Sequence, residues 1–286
     1  MTAVEHGVAG MIHARLGECS PAERRVARVV LAAYPAAALE TVAVLAERAG
    51  VSGPTVLRFV NRLGFGGYPE FQKALRDELA ERDTSPLAAY TAEPPAASGG
   101  ALERARRVLP QAVEATLAEL PEAEVEAAVR LLADPQLRVT GHGGRFSMLL
   151  AHYLVMHLVQ VRGNSRLLPA GQVERAGLLA ELGRRDLLVL FDYRRYEQPT
   201  LRLAQAAKEH EAKIILFTDR WLSPVAGVAD VVLPSRVDSP SAYDSFVPTV
   251  AVLETLIDGV IARLGPAAGD RLTSIEAAAQ RYGLLE

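Results

Sequence analysis

The 286-residue sequence holds a single cysteine, Cys19. One thiol closes no intramolecular disulfide and builds no cysteine zinc site, and its isolation fits a reducing compartment and a small buried hydrophobe. The sequence lacks a basic amino-terminal segment followed by an apolar stretch, so no secretory signal is expected. It also lacks a membrane span. The most apolar run, Phe146 to Val161, contains His152, His157 and Gln160 and is shorter than the ~20 residues that a bilayer requires. No internal repeat is visible. Nor is there an excess of positive charge: the formal charge is −3, which by itself says nothing for nucleic acid. What is present is half hydrophobic and 23% charged, a composition for one large globular domain or two of ordinary size. The expectation is a cytoplasmic protein with no membrane partner, no metal and no cofactor.

Pro, Ser, Gly and Ala without hydrophobic periodicity fill residues 84–100, TSPLAAYTAEPPAASGG. This stretch reads as a linker stiffened by Pro94 and Pro95, separating a domain over 1–83 from one over 101–286. Before it the signals are all helical. After it, apolar strand candidates at Leu137–Thr140, Arg166–Leu168, Asp186–Phe191, Lys213–Thr218 and Asp230–Leu233 alternate with helix candidates at Phe146–Arg162, Val173–Leu182 and Pro199–Glu211. Three of the strands (LLVLF, IILF, VVL) are nearly continuous apolar runs, as for strands covered on both faces. The expected fold is therefore α plus α/β: an all-helical domain joined to a doubly wound parallel sheet, closed by a last helix over Ser245–Leu264. Ligands of such sheets bind beyond the carboxyl ends of the strands, here Gly141–Arg145, Asp192–Glu197 and Thr218–Ser223.

In the helical domain, Ser20-Pro21-Ala22-Glu23 is a helix start with Ser as cap and Glu three residues on. Val26, Val29, Val30 and Ala33 share one face, and Pro35 ends the helix. Thr41 caps a second short helix whose inward face is Val42, Leu45 and Ala46. Gly50 then supplies a left-handed residue, Val51 fills the corner, and Ser52 caps a third helix over Gly53–Leu63. That helix turns Val56, Phe59, Val60 and Leu63 inward and is expected to present Thr55, Arg58, Asn61 and Arg62 outward. Arginine, asparagine and hydroxyls on a short helix pinned by a preceding one are what reading a major groove requires. Ser52, Thr55, Arg58, Asn61 and Arg62 are thus the candidate DNA contacts. From Arg48 to Arg76 the basic residues are Arg48, Arg58, Arg62, Lys73 and Arg76 and the one acid is Glu70, a local excess of four positive charges in an acidic chain. The alternative is a helical hairpin with a solvated polar face.

The run AERAGVSGPTVLRFVNRLGFGGYPEFQKAL, Ala46 to Leu75, resembles the amino-terminal domain of the RpiR/MurR family of sugar-responsive transcriptional regulators. The resemblance rests on Gly50-Val51-Ser52, Thr55-Val56, Arg58-Phe59, Leu63-Gly64-Phe65, and Tyr68 with Phe71. It implies that the second domain is a sugar isomerase (SIS) domain, a parallel α/β phosphosugar-binding fold. It further implies a dimer or tetramer, a palindromic double-stranded DNA operator, and a sugar phosphate or related metabolite as effector.

Such domains usually carry a Gly-x-Gly-x-Ser loop after the first strand and a Ser-x-Ser-Gly-x-Thr loop after a later one. Their backbone N–H groups and hydroxyls wrap a phosphate. This sequence departs from both patterns. Gly141 and Gly143 remain, Arg145 stands at the expected serine, and Ser147 is the nearest hydroxyl. The second loop reads Asp192-Tyr193-Arg194-Arg195-Tyr196-Glu197, with no serine or threonine. Two readings follow. In one, Gly141, Gly143, Arg145, Ser147, Arg194 and Arg195 hold an anionic effector through guanidinium forks. In the other, Arg145 or Arg194 pairs with Asp192 and fills the pocket, leaving a structural dimerisation domain; these residues lining a subunit interface is a further option. His142 is expected in the glycine loop, His152 and His157 in core or interface positions, Asp219 as the cap of the turn after its strand, and Asp244-Ser245 as the cap of the last helix or a ligand contact. A phosphosugar isomerase is the competing function class.

Overall fold

The computed structural model describes residues 7–32, 34–82, 85–92 and 100–284. Two compact units divide the chain, residues 1–92 with Arg220–Gly227, and residues 93–219 with 228–286.

In the first unit, α1 (Val8–Arg15), α2 (Pro21–Ala32), α3 (Ala36–Leu39), α4 (Val42–Ala49), α5 (Gly53–Arg62) and α6 (Tyr68–Arg82) enclose one core. Its centre is Val26, Val30, Leu45, Phe59, Leu63 and Phe71, all fully buried, each contributing about 1.5–3 kcal/mol by leaving water. The capping box at the start of α2 is reciprocal. Glu23 N donates to Ser20 Oγ at 3.3 Å, and Ser20 N donates to Glu23 Oε2 at 2.8 Å. The helix ends at Ala32; Ala33 lies outside the described residues. Thr41 caps α4 by accepting from Val44 N, and Gly50 closes it at φ 61° with its N–H on Ala46 and Glu47 carbonyls.

The linker expectation needs correction. Pro86–Ala92 is a seventh helix, α7. Ala88 N donates to Ser85 Oγ at 3.0 Å, and proline at the first helical position loses no hydrogen bond there. So short a helix carries no extended hydrophobic repeat, so periodicity could not reveal it. Pro94 and Pro95 lie outside the described residues.

The second unit opens with α8 (Ala101–Glu119) and α9 (Glu122–Ala133). It continues as β1 (Arg138–Gly143), α10 (Met148–Val161), β2 (Ser165–Leu167), α11 (Gln172–Ala180), β3 (Asp186–Phe191), α12 (Gln198–Glu209), β4 (Lys213–Asp219), β5 (Val231–Ser235), α13 (Val247–Leu264) and α14 (Pro266–Tyr282). The sheet is parallel throughout, in the order β2-β1-β3-β4-β5. Every residue of β3 is buried, as its unbroken apolar run requires. Asp186, at its start, is buried because Arg138 on β1 reaches it at 2.6 Å and Gly183 N donates to it at 2.9 Å. The helix expected to close the domain does not close it. After Gly265, α14 follows and packs against α10. Among the described residues no helix is long and apolar enough to cross a membrane.

The reversal of strand order falls between β1 and β3, so the loops leaving those two strands part there and open a crevice. These are the two loops whose hydroxyls are replaced.

Candidate functional site

The helix α5 is held by its neighbours at both ends. Gly50, in the left-handed conformation, sets the angle between α4 and α5, and Val51 packs partly buried on the core. At the far end Arg62 reaches back to α2, Nε to Glu23 Oε2 3.3 Å, while Arg15 Nη1 donates to the Arg62 carbonyl at 2.8 Å. Burial pushes the Glu23 carboxyl up, but hydrogen bonds from the Ser20 backbone and side chain and from Arg62 outweigh it and hold the group below its ordinary range.

The expected outer face of α5 is correct for three of its four residues. Arg58, Asn61 and Arg62 are exposed, but Thr55 is buried at 5%. Its hydroxyl is spent within the protein, 3.0 Å from Ser52 Oγ and accepting from Arg58 Nη2 at 3.0 Å. Ser52 stands at the cap position without a side-chain bond to the backbone. Ser52 and Thr55 therefore brace Arg58 over the first turn of the helix. Thr55 stands four positions before Phe59 and so on the same helical face; its polarity suggests solvent, and its spacing decides for the core.

Charge is distributed less simply than the local excess suggests. Arg48 pairs with Glu40 at 2.8 Å, Lys73 with Asp77 at 2.6 Å and Arg62 with Glu23. Two of these acids lie outside the stretch from Arg48 to Arg76 on the amino-terminal side and one just beyond it. Among the described residues Arg58 makes no ion pair, and its guanidinium is the exposed cation on α5 with no acid to leave.

In the second unit the β1 and β3 loops are stitched together by Ser147. Its Oγ accepts from Gly144 N at 2.9 Å and donates to the Phe191 carbonyl at 2.9 Å, and the residue is buried. Ser147 thus ties the loops rather than offering a hydroxyl to solvent. Gly143 is required by close approach: a Cβ there would lie 2.6 Å from the carbonyl carbon and oxygen of Ser147. At Gly141 a Cβ would meet Val155 of α10 at 2.9 Å, so this glycine seats the helix on the strand.

The three arginines differ. Arg145 is exposed and, among the described residues, unpaired. Arg195 is also exposed and sits at φ 64°, a left-handed backbone that turns the loop sharply. Arg194 is mostly buried and forked onto Asp244, Nε to Oδ2 3.0 Å with a second contact from Nη2 to Oδ1. Asp192, two residues before it, accepts from Glu197 N through Oδ1 at 3.2 Å and shapes the entry to α12. Of the Asp244-Ser245 pair before α13, Ser245 Oγ accepts from Val247 N at 3.2 Å, while Asp244 takes Arg194.

Acids share this crevice. A Cβ on Gly144 would lie 2.8 Å from Glu197 Oε1, which places that carboxylate over the glycine loop. Asp219, expected as a cap, is the buried last residue of β4 and accepts from Tyr196 Oη at 2.6 Å. Below it, Tyr193 Oη lies 2.8 Å from Thr249 Oγ1 and 3.4 Å from Ser235 Oγ, and burial raises the phenol well above its ordinary value. These hydroxyls, Ser235 and Thr249, come from β5 and α13 and were not visible as a cluster in the sequence. His142 belongs to β1 itself, not to the loop. Burial, with the Arg175 charge adding to it, lowers its pKa to about 4, so the ring is neutral at pH 7. His157 stacks edge-on to Tyr153, ring centres 4.7 Å apart, and His152 is exposed. Among the described residues no three His, Cys, Asp or Glu side chains group as metal ligands.

Chemically, one unit presents a braced cation on a short pinned helix, suited to a nucleic-acid groove. The other presents guanidinium and carboxylate groups around a crevice at the reversal of strand order, suited to an anion bearing hydroxyls.

Known proteins match both units. The helix-turn-helix domain of the rpiR family matches residues 6–82, and the SIS domain matches residues 132–258. The HTH-type transcriptional regulator HexR of Pseudomonas aeruginosa is 29% identical over 268 residues, 89% of each chain. HexR of Escherichia coli is 25% identical over 284 residues, 93% of this chain and 92% of its own. Among solved structures, the Vibrio vulnificus NanR protein complexed with ManNAc-6P shares the fold at TM-score 0.54 and 16% identity, covering 96% of this chain and 98% of its own. The sugar isomerase domain of an RpiR transcription factor from Sphaerobacter thermophilus aligns at TM-score 0.54 and 25% identity, over 59% of this chain and 94% of its own. With an rpiR-type helix-turn-helix unit and a SIS unit in one chain, and HexR regulators matching it nearly end to end, the protein belongs to the RpiR family of transcriptional regulators.

Proposed function

We propose that the protein is a cytoplasmic, sequence-specific DNA-binding regulator of carbohydrate or related metabolism that responds to an anionic metabolite. It works as a dimer or tetramer on a palindromic operator. The carrying observation is Arg58, exposed on α5, braced by Thr55 and without an acidic partner among the described residues. A guanidinium held in this way forks onto guanine or a phosphate with little further loss of freedom. Asn61 and Arg62 flank it on the exposed face, and Ser52, exposed at the amino end of the helix, is the proposed phosphate contact.

The effector is a sugar phosphate or sugar acid. Arg145 and Arg195 supply the anion contact, and Arg194 joins them if the ligand takes the place of Asp244. Glu197, over the glycine loop, accepts hydroxyls. Gly141, Gly143 and Ser147 shape the crevice. NanR, a fold relative, was solved with the sugar phosphate ManNAc-6P, which supports a ligand of this class. The missing serine and threonine loops argue against a bound phosphate held in the usual manner, and with it against isomerase chemistry on this domain.

A gel-shift titration against the protein's own upstream DNA, at fixed moderate salt, tests the reading. Specific retardation that is released by an anionic sugar derivative supports it, and binding equal to that of scrambled DNA overturns it.

A further inference from the structure

The outward face of α5 is only half polar. With about 100° of turn per residue, the buried Thr55, Val56, Phe59, Val60 and Leu63 point one way, and Pro54, Leu57, Arg58 and Asn61 point the other. Arg62 lies to the side, where Glu23 takes it. Pro54 and Leu57 stand three residues apart and so adjoin, forming an apolar strip along the first two turns. Leu57 is 41% exposed, and among the described residues it belongs neither to the helical core nor to the side chains packed against it. Helix propensity does not call for leucine there. Lysine, glutamine or arginine would serve about as well and leave less apolar surface in water.

Gly53 adds a second observation. It stands four positions before Leu57 and therefore on the same flank of the helix. A Cβ there would meet only Val42 Cγ1, at 3.5 Å, an ordinary contact, and its backbone is not left-handed. The fold does not require this glycine. What the missing side chain leaves is room beside Leu57 for the surface of another molecule to come close.

The chemistry of the major groove selects what fills that room. Base pairs present donors, acceptors and one apolar group there, the C5 methyl of thymine. Leucine complements only the methyl; laid over a polar edge it would strip water from that edge and give no hydrogen bond in return. The first turns of a recognition helix are the part that meets base edges, and Arg58 on the same face supplies the charge that draws DNA to it.

We infer that Leu57, supported by Pro54, reads the C5 methyl of a thymine in each operator half-site, beside the base or phosphate that Arg58 takes. The inference rests on the DNA-binding reading above and deepens it. Ser52, Arg58, Asn61 and Arg62 recognise hydrogen-bonding groups, and none of them selects a methyl. Leu57 gives α5 an apolar component of specificity that those residues lack.

The test uses the full chain and two versions of its own upstream DNA, one ordinary and one with every thymine replaced by deoxyuridine. That replacement removes only methyl groups and keeps every base pair. Gel-shift titrations at one salt concentration give Kd for the unmodified protein and for Leu57→Ala on each probe. Burying one methyl is worth about fourfold in Kd, and about fifteenfold when both halves of a two-fold operator contribute. The unmodified protein should therefore bind the uracil probe roughly five- to twentyfold more weakly. Leu57→Ala should lose a similar factor on the thymine probe and bind both probes alike, within about twofold. Leu57→Met keeps an apolar reach and should keep the preference for thymine. Arg58→Ala should keep it too while losing affinity for both probes. Thermal melting should be nearly the same for Leu57→Ala and the unmodified protein, because Leu57 lies outside the core. Equal binding of the two probes by the unmodified protein overturns the inference without any variant. A uracil penalty that persists in full in Leu57→Ala also overturns it, and assigns the methyl effect to DNA shape or another side chain. Either result leaves the DNA-binding reading standing. If the unmodified protein does not distinguish its upstream DNA from scrambled DNA, that reading falls and this inference with it.

Discussion

Arg62 leaves the exposed side of α5 to meet Glu23 of α2, Nε to Oε2 3.3 Å, and Glu23 is the carboxylate that closes the capping box on Ser20. One buried acid thus anchors both the start of α2 and the far end of the recognition helix. Glu23→Ala removes both anchors and should destabilise the helical unit by about 1–3 kcal/mol in urea denaturation. The pH dependence has a fixed sign. The Glu23 pKa is lowered in the fold, so its contribution is complete above the ~4.3 of an unfolded glutamate and is lost as pH falls through the folded value. The stability gap between wild type and variant should therefore shrink in acid; a gap that persists unchanged to pH 3 contradicts the ionised role.

Gly143 and Ser147 are in contact across the turn that starts α10, and the contact is backbone on backbone. Gly143→Ala would set its Cβ at 2.6 Å from the Ser147 carbonyl, an approach that no rotamer change relieves. A loss of about 3 kcal/mol is expected, at the upper end of overpacking costs. Gly141→Ala meets only a Val155 methyl at close range and should lose less. Equal losses for the two would contradict this reading of the turn.

Much of this architecture is legible in the sequence because the signals are local. The Ser20–Glu23 box, the left-handed Gly50 and the unbroken apolar run of β3 each fix an element through its own residues. The errors have two sources. Thr55 reads as outward when its polarity is weighed above its spacing, yet it shares a face with Phe59 and its hydroxyl is satisfied by Ser52 and Arg58. Elsewhere a partner distant in sequence decides. Arg194 lies two residues from Asp192 in sequence, yet the fold also brings it Asp244, fifty residues on. Spacing places a side chain on a face, but it does not reveal which acid the tertiary fold delivers to that face. The same applies to the Tyr193, Ser235 and Thr249 hydroxyls, gathered from three separate segments.

His142 gives the second unit a pH response. Its folded pKa of about 4 lies below the ~6.5 of an unfolded histidine. Between these values the unfolded chain binds the additional proton, so stability falls as pH drops. From pH 7 to pH 5 the loss from this residue approaches ~2 kcal/mol. His142→Gln cannot take up that proton, and its denaturation midpoint should fall less over the same interval. Parallel pH profiles for the two proteins would remove His142 as the source.

Arg194 and Asp244 hold the β3 loop to the approach to α13 with side chains only 18% and 19% exposed. Asp244→Asn leaves the guanidinium partly buried without its full countercharge and should destabilise by ~1–2 kcal/mol, less than a deeply buried pair would lose. If Arg194 can receive an anion, inorganic phosphate at millimolar concentration should raise the melting midpoint of Asp244→Asn more than that of wild type. An equal response in both assigns the arginine to structure and leaves the effector to Arg145 and Arg195.

Arg58 and Arg62 both face solvent on α5, yet their partners predict different behaviour on DNA. Arg58 is bonded only to the Thr55 hydroxyl among the described residues, so its charge is available to an operator. Arg58→Ala should weaken specific binding by about 1–3 kcal/mol, a roughly five- to 150-fold rise in Kd, with little change in thermal stability. Arg62 is already engaged with Glu23, and Arg62→Ala should lower stability together with affinity. Titrations over a range of salt separate base from phosphate contact. A residue that reads a base loses discrimination against scrambled DNA at unchanged salt slope, whereas loss of a phosphate contact reduces the slope by about one for every sequence. An Arg58→Ala protein with wild-type affinity and slope would return this residue to the solvated face and move the DNA surface off α5.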